Sequence, residues 1–302
     1  MSQAQDSSLT GRVVLITGAN TGIGQVTAST LARRGAEVYI ACRSREAGEA
    51  ARSKIAADGG RVHLLSLDLG DFSSVRACVA DFLARGRPLH ILLNNAGVAG
   101  ARGRTKSGFE LAFGVNHLGH FLLTQLLLPR LLEADRARIV TVASKAHYNV
   151  KRWDWDVLTE HTRSRTALHE YGVSKLANVL FSAELARRLS GTQVRTYALH
   201  PGVVASDVWR GVPQPFRALI MLPMKSVEQG ADNSIYLATS PEVSSESGRY
   251  YHDRTAREPS SLGSDVALSR ELWTRSEAWT GERTTSRAST APDVSIDVPG
   301  GQ

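Results

Sequence analysis

Short, continuously apolar runs alternate along the chain with longer segments in which apolar residues recur every three or four positions. That alternation predicts strands and helices in turn. The first run, Val13–Thr17, is followed by a glycine turn and a helical pattern that continues through Arg34 and stops at Gly35. Residues 37–41, 62–67, 89–93, 139–142 and 194–199 read as further strands, and 248–251 as a final one. Helices are expected over 45–57, 72–84, 109–132, 169–189 and 227–238. Asp71 can cap the helix that begins at Phe72, and Pro129 marks a kink or an end in the long apolar helix. Strands without polar alternation belong to a parallel sheet covered on both faces. The order therefore reads as an α/β protein on a doubly wound parallel sheet, whose ligands gather at the carboxyl ends of the strands.

Composition narrows the picture only slightly. A chain of 302 residues can bury one large core of this kind. The net charge of +7 raises nucleic-acid binding, yet the arginines (Arg33 and Arg34, Arg43 and Arg45, Arg187 and Arg188) are scattered rather than gathered among aromatics. They read as a solvated surface, and no nucleic-acid partner is expected. Cys42 and Cys78 lie in apolar, element-like contexts and read as buried thiols of a reducing compartment. Residues 1–10 form a polar arm without a leader signature. The most apolar stretches, 121–129 and 216–224, fall short of the roughly 20 residues that a membrane span takes. A cytoplasmic protein with no integral membrane segment is expected. Residues 280–302, rich in Ser, Thr, Gly, Pro and Asp, read as a disordered tail.

Gly18, Gly22 and Gly24 stand between the first strand and the first helix. Without a Cβ, backbone there can approach phosphate oxygens, and the helix start offers free N–H groups and the positive end of its dipole. The spacing differs from G-x-G-x-x-G, and a tight turn is the plainer alternative. Arg43, with Ser44 and Arg45 after it, follows the second strand, where an acid would bind the ribose of NAD and an arginine accommodates a 2′-phosphate. That favours NADP(H), against a reading in which the arginines only decorate a helix start. Asp68 is placed either to accept from an adenine amino group or to cap a turn. In Asn94-Asn95-Ala96-Gly97 the small residues let backbone lie against a ribose, while the asparagines can tie strands together.

Tyr171 and Lys175 lie four apart on a predicted helix and so share a face. A free phenol titrates near about 10. A neighbouring ammonium and an oxidised nicotinamide would both favour the phenolate and lower that value. Tyr171 is then the acid or base at a substrate oxygen, with Ser144 donating a hydrogen bond to the same oxygen. Lys175 can also reach the nicotinamide ribose. His117 and His120 are three apart, but no third ligand accompanies them, so no metal site is assigned. His200 reads as structural.

On these residues the chain resembles the short-chain dehydrogenase/reductase family, over residues 9–281. The carriers are Thr17-Gly18-Ala19-Asn20-Thr21-Gly22-Ile23-Gly24, the Asn-Asn-Ala-Gly segment, Ser144, Tyr171 with Lys175, and Pro201-Gly202. The resemblance implies a single-domain, Rossmann-type fold over 11–279. It also implies NADP(H) contacts from Asn20, Thr21, Ile23, Leu69, Asn95, Ala96, Gly97, Pro201, Gly202, Val204 and Ser206, beside the glycines, Arg43 and Asp68. Asn116 takes the position of an asparagine that holds a water in a proton relay.

Ala41-Cys42-Arg43, residues 115–123 and 171–181, and His200-Pro201-Gly202-Val203-Val204 make the chain similar to the NADP-dependent, retinol dehydrogenase-like branch. Two departures stand out: animal members are often anchored at the N-terminus, and the family often has threonine where Ser206 stands. The expected reaction is hydride transfer between NADP(H) and a lipophilic alcohol, aldehyde or ketone. Tyr148, Trp153 and Trp155, and a lid at about 205–225 carrying Trp209, Phe216 and Met221, could cover such a substrate. Local core or an oligomer interface is the equal alternative for these aromatics. A redox-sensing NADP(H)-binding regulator and a carbon–carbon double-bond reductase resembling protochlorophyllide reductase stay open, as do a homodimer and a homotetramer.

Overall fold

The computed structural model describes residues 8–202 and 226–282. Most of the expected arm, the expected lid with Val204 and Ser206, and nearly all of the expected tail lie outside the described residues. The elements are β1 Val13–Thr17, α1 Gly22–Arg33, β2 Glu37–Cys42, α2 Arg45–Ala57, β3 Arg61–Ser66, α3 Phe72–Ala84 and β4 Ile91–Asn94. They continue with α4 Leu111–Phe113, a π-helical turn Gly114–Leu118, α5 Gly119–Glu133, β5 Arg138–Val142, α6 Leu168–Arg188 and β6 Arg195–His200. The last are α7 Val227–Thr239, β7 Arg249–His252, β8 Thr255–Arg257 and α8 Val266–Thr280, with short 3-10 turns between.

The strands form one sheet in the order β3-β2-β1-β4-β5-β6-β7-β8. β1 to β7 pair in parallel, and β8 returns antiparallel to β7. The order reverses between β1 and β4, which opens a crevice at their carboxyl ends. Side chains alternate across the pleat and divide into two cores. Val13 and Leu15 face Phe82, Phe121, Leu127 and Phe181. Val14 and Ile16 face Ala28, Leu31, Ile55 and Leu237 on the other side. Each fully buried aliphatic or aromatic side chain contributes about 1.5–3 kcal/mol, so helices are held on both faces by the strand pattern itself.

Several expectations need correction. Pro129 neither ends nor divides its helix, because α5 continues to Glu133 with Leu127 and Leu131 fully buried on either side of the proline. That burial outweighs one missing backbone bond. The apolar stretch is also longer than 121–129. Leu111–Glu133 is long and apolar enough to cross a membrane, with mean hydropathy 1.3 in its best window, but 83% of that window is buried inside the protein. β8 and α8 were not anticipated. α8 lays Trp273 on α6 and α5, its ring stacked 5.9 Å from Phe181 and edge-on 5.0 Å from Phe121. The Arg188 guanidinium covers the same ring at 4.4 Å.

Candidate active site

The site forms at the crevice, and Thr17 at the end of β1 builds its floor. Its hydroxyl oxygen accepts the Asn95 and Ala96 backbone N–H groups at 2.9 and 3.0 Å. The Asn95 amide returns a bond to the Thr17 carbonyl at 2.8 Å. The asparagine of the β4 end therefore ties β4 to β1, as the sequence allowed. Asn94 instead donates to Thr124 on α5 at 3.0 Å.

Above this floor the chain turns into α1 through Gly18 and Gly22, with φ of +65° and +58°. These are left-handed angles that glycine adopts without strain. A Cβ on Gly24 would stand 2.5 Å from Asn95 Nδ2 and 2.6 Å from the Gly18 carbonyl oxygen. Asn20, Thr21 and Ile23 are half-buried along the same turn, and Thr21 makes no side-chain cap to α1. A close backbone pass, glycine where a side chain would collide and an uncapped helix start are what a pyrophosphate requires.

The neighbouring strand ends differ in character. Arg43 is exposed directly after β2, and among the described residues it pairs with no acid. Ser44 is committed to capping α2, accepting the Ala47 N–H at 3.2 Å. Asp68 accepts the Gly70 N–H at 2.9 Å, so one of its oxygens serves the turn-capping role. Leu69 is buried in the core, leaving its backbone as the part that could meet a ligand. Beyond β6, Pro201 is half-buried and Gly202 takes φ +92°.

The four residues expected to handle the proton come together at the ends of β4 and β5 and the start of α6. Tyr171 is hydrogen-bonded to Ser144. Ser144 Oγ also accepts the Ala146 N–H at 3.2 Å, which caps the turn after β5. Lys175 Nζ donates to the Val142 carbonyl at 2.8 Å and lies 5.6 Å from the Tyr171 ring centre. Tyr171 and Lys175 are 8% and 3% exposed. A Cβ on Gly97 would meet Asn116 Oδ1 at 3.3 Å and Lys175 Nζ at 3.5 Å, so Gly97 keeps space open beside both.

Asn116 sits in the π turn and clamps the loop after β4 to α6. Its amide donates to the Val98 carbonyl at 3.0 Å and to Ser174 Oγ at 2.9 Å, while Oδ1 accepts the Val98 N–H at 2.8 Å. Ser174 donates in turn to the Tyr171 carbonyl at 2.7 Å. The Asn116 side chain is thus engaged with protein.

The electrostatics depart from expectation. Burial raises the Tyr171 phenol, and the Ser144 hydrogen bond only partly offsets it. The same burial pulls Lys175 down to about 7. The Lys175 amine is turned to a carbonyl rather than to the phenol, and burial outweighs any lowering of the Tyr171 value.

His117 and His120 are interior groups. The Nδ1–H of His120 donates to the Asn116 carbonyl at 2.9 Å, leaving Nε2 to accept from Thr17 Oγ1 at 2.8 Å. His117 Nε2 bonds Ser276 on α8 at 3.1 Å. His200 stacks on His252 with ring centres 5.0 Å apart.

Trp153 and Trp155 belong to the local core with Phe109, Phe113 and Leu158, the alternative to a substrate cover. Arg275 of α8 covers Trp155 at 4.3 Å. Tyr148 donates from its hydroxyl to the Glu258 carbonyl at 2.5 Å. Thr17 and Ser174 were not assigned these bonding roles from sequence, and His120 was weighed only as half of a metal pair. A buried hydroxyl ending an otherwise apolar strand, and a serine beside the lysine of the helix pair, are the signals that mark the first two.

Comparison with known proteins gives the same fold. A short chain dehydrogenase family model matches residues 12–155. Retinol dehydrogenase 12 of Mus musculus is 46% identical over 276 residues, 87% of this chain and 84% of that protein. Retinol dehydrogenase 14 of Homo sapiens is 40% identical over 294 residues, 90% of this chain and 87% of that protein. Among solved structures, an uncharacterised protein from Mycobacterium paratuberculosis has a TM-score of 0.75 at 37% identity, covering 94% of this chain and 98% of its own. A protein described as an NAD(P)-dependent gluconate 5-dehydrogenase from Beutenbergia cavernae, with NADP bound at low occupancy, has a TM-score of 0.65 at 28% identity. That match covers 81% of this chain and 96% of the other.

Proposed function

The chain belongs to the short-chain dehydrogenase family and is an oxidoreductase of CH–OH and C=O groups; on that premise we propose that it interconverts lipophilic aldehydes or ketones and their alcohols with NADP(H), using Tyr171 as the acid or base. One observation carries the reading: Tyr171, hydrogen-bonded to Ser144, stands beside Lys175 at the carboxyl ends of β4 and β5.

The turn from Gly18 to Gly24 would hold the pyrophosphate, and exposed Arg43 the 2′-phosphate. Asp68 and Leu69 would border the adenine, and Asn95, Ala96 and Gly97 its ribose. Lys175 would meet the nicotinamide ribose, with Pro201 and Gly202 at the ring. When bound, the nicotinamide supplies or accepts the hydride.

The chain's own residues manage the substrate oxygen. Ser144 positions that oxygen by a hydrogen bond. Tyr171 as phenol donates the proton to the substrate oxygen during reduction and as phenolate accepts it during oxidation. Lys175 lies within reach of the ring and can take up charge near neutrality as the site fills. An apolar substrate is the class inferred, with Leu168, 46% exposed, standing one turn ahead of Tyr171 on α6. That class fits the relatives, which are named for retinol.

The test is cofactor oxidation against aldehydes and ketones of increasing apolar length, with NADPH and with NADH. Turnover is expected with NADPH, rising with apolar length. NADPH binding with no turnover across the panel would instead favour the redox-sensing reading.

A further inference from the structure

His147 is fully buried, three residues beyond Ser144 in the 3-10 turn Lys145–Asn149. Its two ring nitrogens have opposite partners. Nδ1 is 2.6 Å from the Ser144 carbonyl, which can only accept, so Nδ1 carries the proton. Nε2 is 3.2 Å from the Ser260 backbone N–H, which can only donate, so Nε2 carries none. The two bonds select one neutral tautomer. The ring is packed in place by Tyr148 at 4.0 Å and, edge-on, by Tyr250 at 4.9 Å.

We propose that His147 is the positioning residue of the proton-transfer site: its Nδ1–H fixes the Ser144 carbonyl, and thereby the direction of Ser144 Oγ toward Tyr171. The turn that this bond closes also presents the Ala146 N–H to Ser144 Oγ at 3.2 Å, which holds the hydroxyl in one rotamer. A single backbone donor, the His147 N–H at 3.2 Å, also reaches the Ser144 carbonyl, and it leaves that peptide free to tilt unless the ring holds it. The Nε2 end anchors the ring to the segment after β8. That segment is also held by the Tyr148 hydroxyl on the Glu258 carbonyl, so the turn carrying Ser144 rests on an element far along the chain. The turnover part of this proposal rests on the function proposed above; the geometric part does not.

Two substitutions divide the ring's roles. His147→Asn places an amide N–H where Nδ1–H stood and abandons Ser260. His147→Gln places an amide oxygen where Nε2 stood and abandons the Ser144 carbonyl. Both variants and wild type are compared in NADPH affinity, in kcat and KM for a carbonyl substrate, and in the NMR shift of the isotopically labelled hydroxyl-bearing carbon of Tyr171, assigned with Tyr171→Phe. The asparagine variant should keep kcat within about threefold, while the glutamine variant loses about tenfold or more in kcat with KM for NADPH unchanged. The Tyr171 shift should follow the same order, moving in the glutamine variant and holding in the asparagine variant.

Equal effects of the two, or a larger loss for asparagine, overturn the proposal and leave His147 a plain structural tie. If wild type turns nothing over, the proposed function fails, yet the order of the Tyr171 shifts still decides the role of His147. If the glutamine variant does not fold, the asparagine variant decides alone. Loss of about tenfold in kcat or a moved shift, with NADPH still bound, then overturns the proposal.

Discussion

Burial shifts Tyr171, Lys175, His117, His120 and His147 toward their neutral forms. His117 and His120 are held well below the ordinary histidine value of 6.5, at about 3 and about 4, because no charged form is solvated there. In the unfolded chain both take up protons below about 6.5. The unfolded state therefore binds more protons as pH falls from that value. Stability is full above it and declines by about 1.4 kcal/mol per pH unit for each histidine until the folded values are reached. His117→Gln should flatten the acid limb of a plot of urea midpoint against pH. An unchanged slope would remove His117 from this account.

Arg43 is the opposite kind of residue, exposed and without an acid partner among the described residues. Arg43→Asp should shift the ratio of kcat/KM from NADPH toward NADH by about tenfold or more, on the scale of one charged hydrogen bond. A ratio that does not move would take Arg43 out of the cofactor site. At this scale the sequence told most: Tyr171 and Lys175 were legible as a spacing, Ser144 by its place after a strand and Asn116 through the family resemblance, and the four do come together. Their charge states were not, because desolvation depends on neighbours brought from β4, β5 and α6, which no spacing reveals.

The strand ends and helix starts decide where those residues meet. Thr17 closes β1 with a hydroxyl that satisfies two backbone donors of the segment after β4. Thr17→Val keeps the shape and leaves both donors short of an acceptor. It should lower stability by about 2–4 kcal/mol and weaken NADPH binding, measured by denaturant unfolding and by titration. Loss of neither would mean that the crossing from β1 to β4 is held by packing alone.

Strands and most helices were readable because apolar periodicity and glycine turns report backbone directly. The π turn at Gly114–Leu118 was not, since its sequence reads as continuous helix and only the Asn116 clamp on Val98 and Ser174 distinguishes it. α8 was missed for a related reason. Its buried face rests on Leu272 and Trp273, with small polar residues at Ser269, Ser276 and Thr280, so the apolar stripe is weak.

Among the described residues, one sheet carries a helical layer on each face and a reversal of strand order between β1 and β4, and the glycine turn and the tyrosine pair both stand at the carboxyl ends of its strands. α8 closes over α5 and α6, with Trp273 and Arg188 sealing the layer. The substrate cover expected at about 205–225 lies outside the described residues, which is why substrate class rests on the relatives and on Leu168.

The central claim is that Tyr171 completes hydride transfer between NADPH and a carbonyl carbon. It is tested most directly by loading the enzyme with NADPH deuterated at its reactive carbon and reading product mass from a lipophilic aldehyde. Wild type should place deuterium on the alcohol carbon, and Tyr171→Phe should bind NADPH equally while labelling product about 100-fold more slowly or less. Equal labelling by the two proteins, or NADPH bound by wild type with no labelled alcohol from any carbonyl offered, would contradict the account.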